Sequence, residues 1–299
     1  MKRNYGAVYA APQALWLTVF FAAPLAIIVA YSFMRRDVYG GVLPHFSLDA
    51  YSALANSNLL IVAWRTAWVS ALATFLTILV ALPCGYSIAR SGNQAMRLFL
   101  VIVPFWTNFL IRIYAWIAIL GNEGFLNDLL RLAGLTKDSV QFLYNQEAVI
   151  LVLVYMYLPY AILPLFSTID KFDFTLLEAA RDLGATRMQA LRKILLPNIR
   201  GGIVTAVLFT FIPIFGAYAV PLIVGGMDSY MLGNIIADQM TKTRNWPLSS
   251  AISMGVTLLT GVAAIVFAFA SRRSTQHVIE ESGIGPASAT AGIPGGGQA

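Results

Sequence analysis

Long apolar runs separated by short polar stretches are the main pattern along this chain. A helix needs about 20 mostly apolar residues to cross a bilayer, whereas strands average only about 5–6 residues. The runs therefore predict six membrane-spanning helices, at residues 15–33, 60–89, 99–120, 148–165, 203–224 and 251–270. Proline lacks a backbone donor, so kinks are expected at the prolines inside these helices: Pro24, Pro83, Pro104, Pro159, Pro213 and Pro221.

The pattern predicts an all-α polytopic helix bundle with three parts. Residues 1–14 form the N-terminus, residues 15–273 the six-span domain, and residues 274–299 a disordered tail rich in Gly, Ala, Ser and Pro. The first run exceeds the roughly 7–15 residues of a cleaved signal core, so we expect it to be retained. In the predicted outside loops, Phe125–Leu132 has apolar residues at helical spacing and predicts a short helix.

Composition agrees with a membrane protein. The chain is 58% apolar and 11% charged, with a mean hydropathy of +0.71, whereas soluble domains carry about 25% charged residues. The net charge of +6 is more typical of positive cytoplasmic loops than of nucleic-acid binding in such a chain. The single cysteine, Cys84, excludes an intrachain disulfide.

The distribution of Lys and Arg predicts that both termini are cytoplasmic. In that orientation twelve lie inside, namely Lys2, Arg3, Arg90, Arg97, Lys171, Arg181, Arg187, Arg192, Lys193, Arg200, Arg272 and Arg273. Six lie outside: Arg35, Arg36, Arg131, Lys137, Lys242 and Arg244. Cytoplasmic loops carry the excess of these residues, and the loop at residues 170–201 contributes half of the twelve.

That loop contains two predicted helices joined by a glycine turn. Thr175 and Glu178 have the spacing of a capping box, and Gly184 stands where a helix end favours positive φ. Thr186 and Gln189 repeat the capping pattern ahead of a second amphipathic helix, which Pro197 ends.

Three interpretations of this helix pair remain open from its pattern alone. It could lie on anionic lipid headgroups through its basic residues, or read DNA as a helix-turn-helix. It could also dock into a groove of a soluble partner through apolar residues at helical spacing. DNA binding is disfavoured because the flanking spans would keep the helix out of a major groove.

One motif in the loop resembles a known family. The loop contains Glu178-Ala179-Ala180, then Gly184 after three residues, and Ile194-x-Leu196-Pro197 after nine more. This pattern resembles the EAA motif of permeases in binding-protein-dependent ABC importers. The resemblance implies a multi-pass bacterial inner-membrane protein with the type I importer permease fold. It also implies that this loop seats in a cleft of a cytoplasmic ATPase, with Glu178, Ala179, Ala180 and Gly184 as the docking core.

The wider resemblance extends over nearly all of residues 15–273. Residues 104–127, 211–226 and 230–240 are similar to the spermidine/putrescine branch of this family. Importers for sulfate, phosphonate, ferric iron or thiamine share much of the pattern, so the solute stays open. The implied partners are two ATPase subunits, a second and different permease chain, and an extracytoplasmic substrate-binding protein.

The chemistry available inside the membrane is limited. All fourteen acidic residues and both histidines fall outside the predicted spans, whereas proton-coupled transporters place such groups at mid-membrane. This weakens the alternative of a secondary transporter. The sequence has no P-loop, metal-ligand cluster or nucleophile–base pair, so it predicts neither an enzyme nor a bound cofactor, and ATP would be bound by the partner ATPase.

Four residues are candidates for a translocation path. Arg112 is predicted near the middle of the third span, where an unpaired charge costs about 2.5–3.5 kcal/mol, and Asn108 one turn away can share its face. Arg112 is either a packing tether or a path-lining residue. Trp106 and Tyr218 could meet a cationic amine through their rings, although aromatic belts explain most membrane Trp and Tyr.

Overall fold

The structure is a computed structural model that describes the backbone of residues 5–281 and the side chains of residues 10–265. Its first seven helices are α1 (Tyr5–Leu17), α2 (Ala23–Ser32), α3 (Asp49–Leu54), α4 (Ser57–Ala89), α5 (Gln94–Ile102), α6 (Phe109–Leu120) and α7 (Phe125–Leu132). The others are α8 (Gln146–Ile169), α9 (Thr175–Asp182), α10 (Arg187–Ala190), α11 (Leu196–Asn198), α12 (Arg200–Phe215), α13 (Ala219–Val224), α14 (Leu232–Thr241) and α15 (Trp246–Glu281). The predicted all-α class is confirmed, and the helix predicted at Phe125–Leu132 is α7.

One small ribbon departs from the helical pattern. Strands β1 (Met34–Arg36) and β2 (Val42–Phe46) pair antiparallel in the first predicted outside loop. The ribbon is fixed to the loop before α15, because Arg36 Nη2 donates a hydrogen bond of 2.7 Å to the carbonyl of Thr243. Periodicity did not predict these strands, which are only 3 and 5 residues long.

Five helical segments of the described chain are long and apolar enough to cross a membrane, and a bent pair makes a sixth. The five are Ala10–Ser32, Ser57–Ala89, Phe109–Leu132, Gln146–Ile169 and Trp246–Ile265. The bent pair joins Arg187–Asn198 to Arg200–Phe215 at an angle of 71°. The polytopic prediction is confirmed, but the third and fifth predicted spans are not continuous helices.

The predicted third span, residues 99–120, is broken at Thr107 and Asn108. A 3₁₀ turn, Val103–Trp106, follows α5, and both residues at the break are extended, with ψ of 152° and 140°. The Asn108 side chain caps the new helix α6 by accepting a bond of 2.8 Å from the amide of Leu110. Because Pro104 lacks an amide donor, the chain does not continue the first helix through this turn.

The predicted fifth span, residues 203–224, is also broken. Helix α12 ends at Phe215, and α13 begins at Ala219 after a short non-helical segment. In a continuous helix the amide of residue 221 would bond to the carbonyl of Ala217, but residue 221 is proline and has no such donor. The helix is broken here, whereas α4 and α8 remain continuous through Pro83 and Pro159, so the missing donor of a proline does not by itself break a span.

Two apolar clusters hold the bundle together where α4, α8 and α12 pack against one another. The first cluster joins α4, α6, α8 and α13 around Val69, Ile113 and Leu153. The second, which we call the inner cluster, joins the end of α4 and the end of α8 to the 175–199 region through Ile88, Ile169, Leu177, Leu195 and Ile199. The inner cluster positions the loop that carries the motif.

The two ends of the chain lie outside the bundle centre. Helix α2 packs against α15, and no residue of the 18-residue window in the first span is buried. Helix α15 continues to Glu281, beyond the predicted end of the span domain at residue 273. Residues 282–299 of the predicted tail, and residues 1–4 of the predicted N-terminal segment, lie outside the described residues.

Candidate coupling element and membrane path

Residues 175–198, from α9 to α11, form a helix pair that we call the paired-helix element. Gly184 adopts φ of +89° between the two helices. The amide of Gly184 donates to the carbonyl of Arg181 at 2.9 Å, and the amide of Ala185 donates to that of Ala180 at 3.0 Å. These two bonds are those of a Schellman motif, so the predicted helix–glycine–helix arrangement is confirmed.

The start of α9 is capped differently from the prediction. Asp173 Oδ1 accepts bonds from the amide of Thr175 at 3.0 Å and from its hydroxyl at 2.8 Å. The predicted capping box of Thr175 and Glu178 is therefore wrong, since a carboxylate two residues upstream occupies the first turn. The same two bonds lower the pKa of Asp173 below its ordinary value, because both donors stabilise the carboxylate.

The second half of the paired-helix element begins as predicted and ends in a bend. The hydroxyl of Thr186 accepts from the amide of Gln189, whose side-chain oxygen accepts from the amide of Thr186, which makes a capping box. A π turn, Leu191–Leu195, lies inside the helical stretch. The stretch ends at Asn198, one residue after Pro197, and α12 departs at 71°.

The inner side of the paired-helix element is part of the inner cluster. Leu177 is 7% exposed and Leu195 is 1% exposed, and Ala190 is buried between them. Ala180, Ile194 and Leu196 of the motif are half-buried against the same cluster. These motif residues hold the element on the ends of α4 and α8 and are only partly exposed.

The opposite side, which we call the outer face, exposes large apolar residues. Leu183 is 90% exposed and Met188 is 69% exposed, on either side of the Gly184 turn, and Leu176 is also exposed. Glu178, Ala179, Gly184 and Pro197 of the motif are exposed as well. Exposed apolar residues beside a charged group are typical of a contact surface for another protein.

Glu178 is available for a partner. Within the part of the chain that the structure describes, its carboxylate makes no hydrogen bond or salt bridge, although its charge acts on Arg90. Gly184 has no atom within 4 Å of the position that a Cβ would occupy. Its role inside this chain is thus its backbone conformation, and the space beside it is open.

Asn108 and Arg112 lie together at the break in the third span. The amide of Arg112 donates to the carbonyl of Asn108 at 3.3 Å, while the Asn108 side chain is occupied as a helix cap. The two side chains make no hydrogen bond to each other among the described contacts. The Arg112 guanidinium instead lies 4.9 Å from the ring centre of Phe105, and its Nε is buried without a hydrogen-bond partner.

Trp106 and Tyr218 belong to the two separate breaks. Trp106 is 77% exposed and packs edge-on against Phe99, with ring centres 6.5 Å apart. Tyr218 is exposed beside the break between α12 and α13. Helices α6 and α13 pack against each other, so both breaks flank one region of the bundle.

Asn234 is a residue that sequence reasoning missed. It is fully buried at the start of α14, where its side-chain nitrogen donates to the carbonyl of Tyr218 at 3.0 Å. Its side-chain oxygen accepts from the amide of Met231 at 3.1 Å. These bonds satisfy backbone groups at the break in the fifth span, which no local pattern around Asn234 indicates.

The described chain is therefore a bundle of membrane-spanning helices with two broken spans and a helix pair on one loop. Residues 60–278 match the family described as binding-protein-dependent transport system inner membrane component. The chain belongs to this family, and it is a multi-pass inner-membrane component of a transport system rather than an enzyme.

The chain is similar to spermidine/putrescine transport system permease protein PotB from two bacteria. It is 36% identical over 265 residues to PotB of Haemophilus influenzae, covering 88% of this chain and 93% of that protein. It is 35% identical over 265 residues to PotB of Escherichia coli, covering 88% of this chain and 96% of that protein.

A solved structure shares the fold. A chain of a bacterial ABC transporter involved in the import of the acidic polysaccharide alginate aligns with a TM-score of 0.73 at 18% identity. The alignment covers 91% of this chain and 96% of that one. The likeness confirms the type I importer permease fold that the sequence predicts.

Proposed function

We propose that this chain is the permease of an ATP-driven importer for polyamines and that the outer face docks a separate ATPase. The observation that carries the docking role is the exposure of Leu183 and Met188 on either side of the Gly184 turn. Burying such side chains in a cleft contributes about 1.5–3 kcal/mol each. The polyamine substrate rests on the similarity to the PotB proteins.

The proposed assembly has four kinds of subunit. Two ATPase subunits bind ATP, because this sequence has no P-loop of its own, and each would contact one paired-helix element. A second, homologous permease would enclose the path together with this chain, and a loaded binding protein would dock on the outside. Both termini would be cytoplasmic, which places the basic 170–201 loop on the ATPase side.

ATP binding would drive transport by moving the helix pair. Closure of the two ATPase subunits carries the paired-helix elements with it, and each element moves as a rigid body because the inner cluster fixes it to α4 and α8. The bundle then changes which side of the membrane its cavity opens to. The path would pass the two broken spans, where Asn108, Arg112, Trp106 and Tyr218 lie.

The docking role is tested by charging the outer face. In the double variant Leu183→Asp with Met188→Asp, two carboxylates would have to lose their water to enter the ATPase cleft. We expect ATPase co-purification and uptake to fall by about tenfold or more. Leu132→Asp is the matched control, because Leu132 is 88% exposed on α7, on the predicted outside. Unchanged uptake in the double variant would refute the docking role.

The orientation is tested by labelling cysteines with a membrane-impermeant thiol reagent in intact cells. In a Cys84→Ala background, Leu132→Cys should react from outside, whereas Lys193→Cys should react only after the cells are opened. Both side chains are exposed, so accessibility alone does not separate them. Reaction of Lys193→Cys in intact cells would place the paired-helix element on the wrong side for an ATPase.

One observation favours a second candidate, an importer of an anionic solute such as sulfate or phosphonate. Arg112 places a positive charge at a broken span, where its Nε has no hydrogen-bond partner, and no acidic residue falls in the predicted spans to attract a polyamine. Uptake in proteoliposomes loaded with the ATPase, the second permease and the binding protein decides between them. Polyamine import would be shown if excess spermidine, but not excess sulfate or thiamine, reduced the uptake of labelled putrescine.

A further inference from the structure

Three residues connect the end of the second span to the paired-helix element. Arg90, directly after α4, donates a hydrogen bond of 3.2 Å to the hydroxyl of Tyr86. The Arg90 guanidinium also lies 5.4 Å from the ring centre of Phe174, the residue that precedes α9. Tyr86 and Phe174 meet edge to face at 6.0 Å. We call Tyr86, Arg90 and Phe174 the Arg90 cluster.

The Arg90 cluster spans a gap between the two elements. A cavity of about 380 Å³ lies between the end of α4 and the helices α9 and α10. The residues lining it include Tyr86 and Arg90 on one side and Glu178, Arg181 and Arg187 on the other. On this side of the element, the Arg90 guanidinium and the two rings add to the apolar contacts of the inner cluster, against which Tyr86 and Phe174 also pack.

The charge of Arg90 also acts on the motif itself. The hydrogen bond with Tyr86 is the main cause of the raised pKa of Arg90, and the negative charge of Glu178 adds to it. Arg90 is thus paired with an aromatic ring at the start of α9 and attracted to the carboxylate one turn later. A cation over an aromatic face contributes about 0.5–1 kcal/mol at an exposed site.

A neighbouring arginine provides an internal comparison. Arg97, in α5, donates to the carbonyl and hydroxyl oxygens of Ser87 at 2.9 and 2.8 Å. It therefore also braces the end of α4, but it does so from the next helix and makes no contact with the paired-helix element among its described bonds. Arg90 and Arg97 differ in whether they reach the element.

We propose that Arg90 is a positioning residue that passes the movement of the paired-helix element to the second span. The proposal rests on the proposed function, since the movement comes from the docked ATPase. Helix α4 packs along α8 and against α12, so a displacement of its end moves the bundle. Losing Arg90 leaves the outer face and the inner cluster intact but removes one of the contacts between the element and α4. Less of the element's movement then reaches the second span for each ATP hydrolysed.

The main test measures docking, hydrolysis and uptake in the same reconstituted complex. For Arg90→Ala we expect unchanged ATPase co-purification and hydrolysis but uptake reduced by about two- to fivefold, which corresponds to loss of the cation–π contact. Arg90→Lys keeps a cation over Phe174 and should restore most of the uptake, and Phe174→Leu should resemble Arg90→Ala. Arg97→Ala should leave the ratio of uptake to hydrolysis unchanged.

A distance measurement between the end of α4 and the paired-helix element tests the proposal independently of uptake and hydrolysis. In a Cys84→Ala background, a spin label at Gly92→Cys reports on the end of α4, and one at Lys193→Cys reports on the paired-helix element. The cysteine at position 92 should be tolerated, because a Cβ at Gly92 meets no atom within 4 Å. The parent should give one narrow distance, with and without trapped ATP. Arg90→Ala should broaden it, and an unchanged narrow distance would overturn the proposal.

The outcomes separate this inference from the proposed function. If Leu183→Asp with Met188→Asp abolishes uptake while Arg90→Ala transports normally, docking holds and the role of Arg90 is wrong. If neither variant affects uptake, docking itself is wrong. Equal losses of hydrolysis and uptake in Arg90→Ala, without rescue by Arg90→Lys, would make Arg90 a folding residue only.

Discussion

The amide of Ala185 donates a hydrogen bond of 3.0 Å to the carbonyl oxygen of Ala180, across the turn at Gly184. The bond forms because Gly184 adopts φ of +89°, a left-handed conformation that ends α9 and turns the chain toward α10. The bond therefore fixes the angle between α9 and α10 and with it the relative positions of Leu183 and Met188.

Gly184→Val should disrupt this turn. A β-branched residue in the left-handed region costs roughly 1–2 kcal/mol, so the turn opens and the outer face loses its shape. We expect ATPase co-purification and uptake to fall by about tenfold, with normal membrane insertion. Gly184→Asn is the matched control, because Asn adopts positive φ more readily and should retain most of the uptake.

Asp173 makes the start of α9 sensitive to acid. Its pKa is lowered in the folded protein, so the stabilisation from its two bonds is present above the ordinary Asp pKa of 3.8 and is lost as pH falls through the lower folded pKa. Hydrogen exchange, corrected for the intrinsic rate, should show the amide of Thr175 protected at neutral pH and deprotected in strong acid. Asp173→Asn keeps an acceptor without titrating, so exchange there should not change with pH.

Asn234→Ala should destabilise the break in the fifth span. The amide of Met231 loses its bond, and an unsatisfied buried group costs about 1–3 kcal/mol. The carbonyl of Tyr218 loses one bond but keeps the one from the amide of Leu222. A thermal unfolding curve in detergent should shift down by roughly several degrees. Asn58→Ala is the control, because Asn58 is exposed at the start of α4, and an equal shift there would contradict the assignment.

Gly202→Ala tests the close approach of α12 to α8. A Cβ at Gly202 would collide with the side chain of Thr168, whose hydroxyl is already bonded to the carbonyl of Pro164. Overpacking of this kind costs about 1–3 kcal/mol, so the purified protein should unfold at a lower temperature. At the adjacent Gly201 a Cβ meets nothing within 4 Å, and Gly201→Ala should be neutral or slightly stabilising.

The sequence by itself determined the class of fold and the local shape of the loop. Apolar runs of membrane length follow from composition, and the Gly184 turn and the capping box of Thr186 and Gln189 follow from interactions within a few residues. Such features depend on neighbours in the chain, so they can be predicted without knowing which helices meet.

Only the tertiary structure decided where the spans break and which side of the loop is free. A straight and a broken helix contain the same apolar residues, and the break before Ala219 is stabilised by Asn234, which follows Tyr218 by 16 residues. Leu177 and Leu183 are the same residue type six positions apart. One is buried and the other exposed because the ends of α4 and α8 cover one side only, and that covering comes from distant parts of the chain.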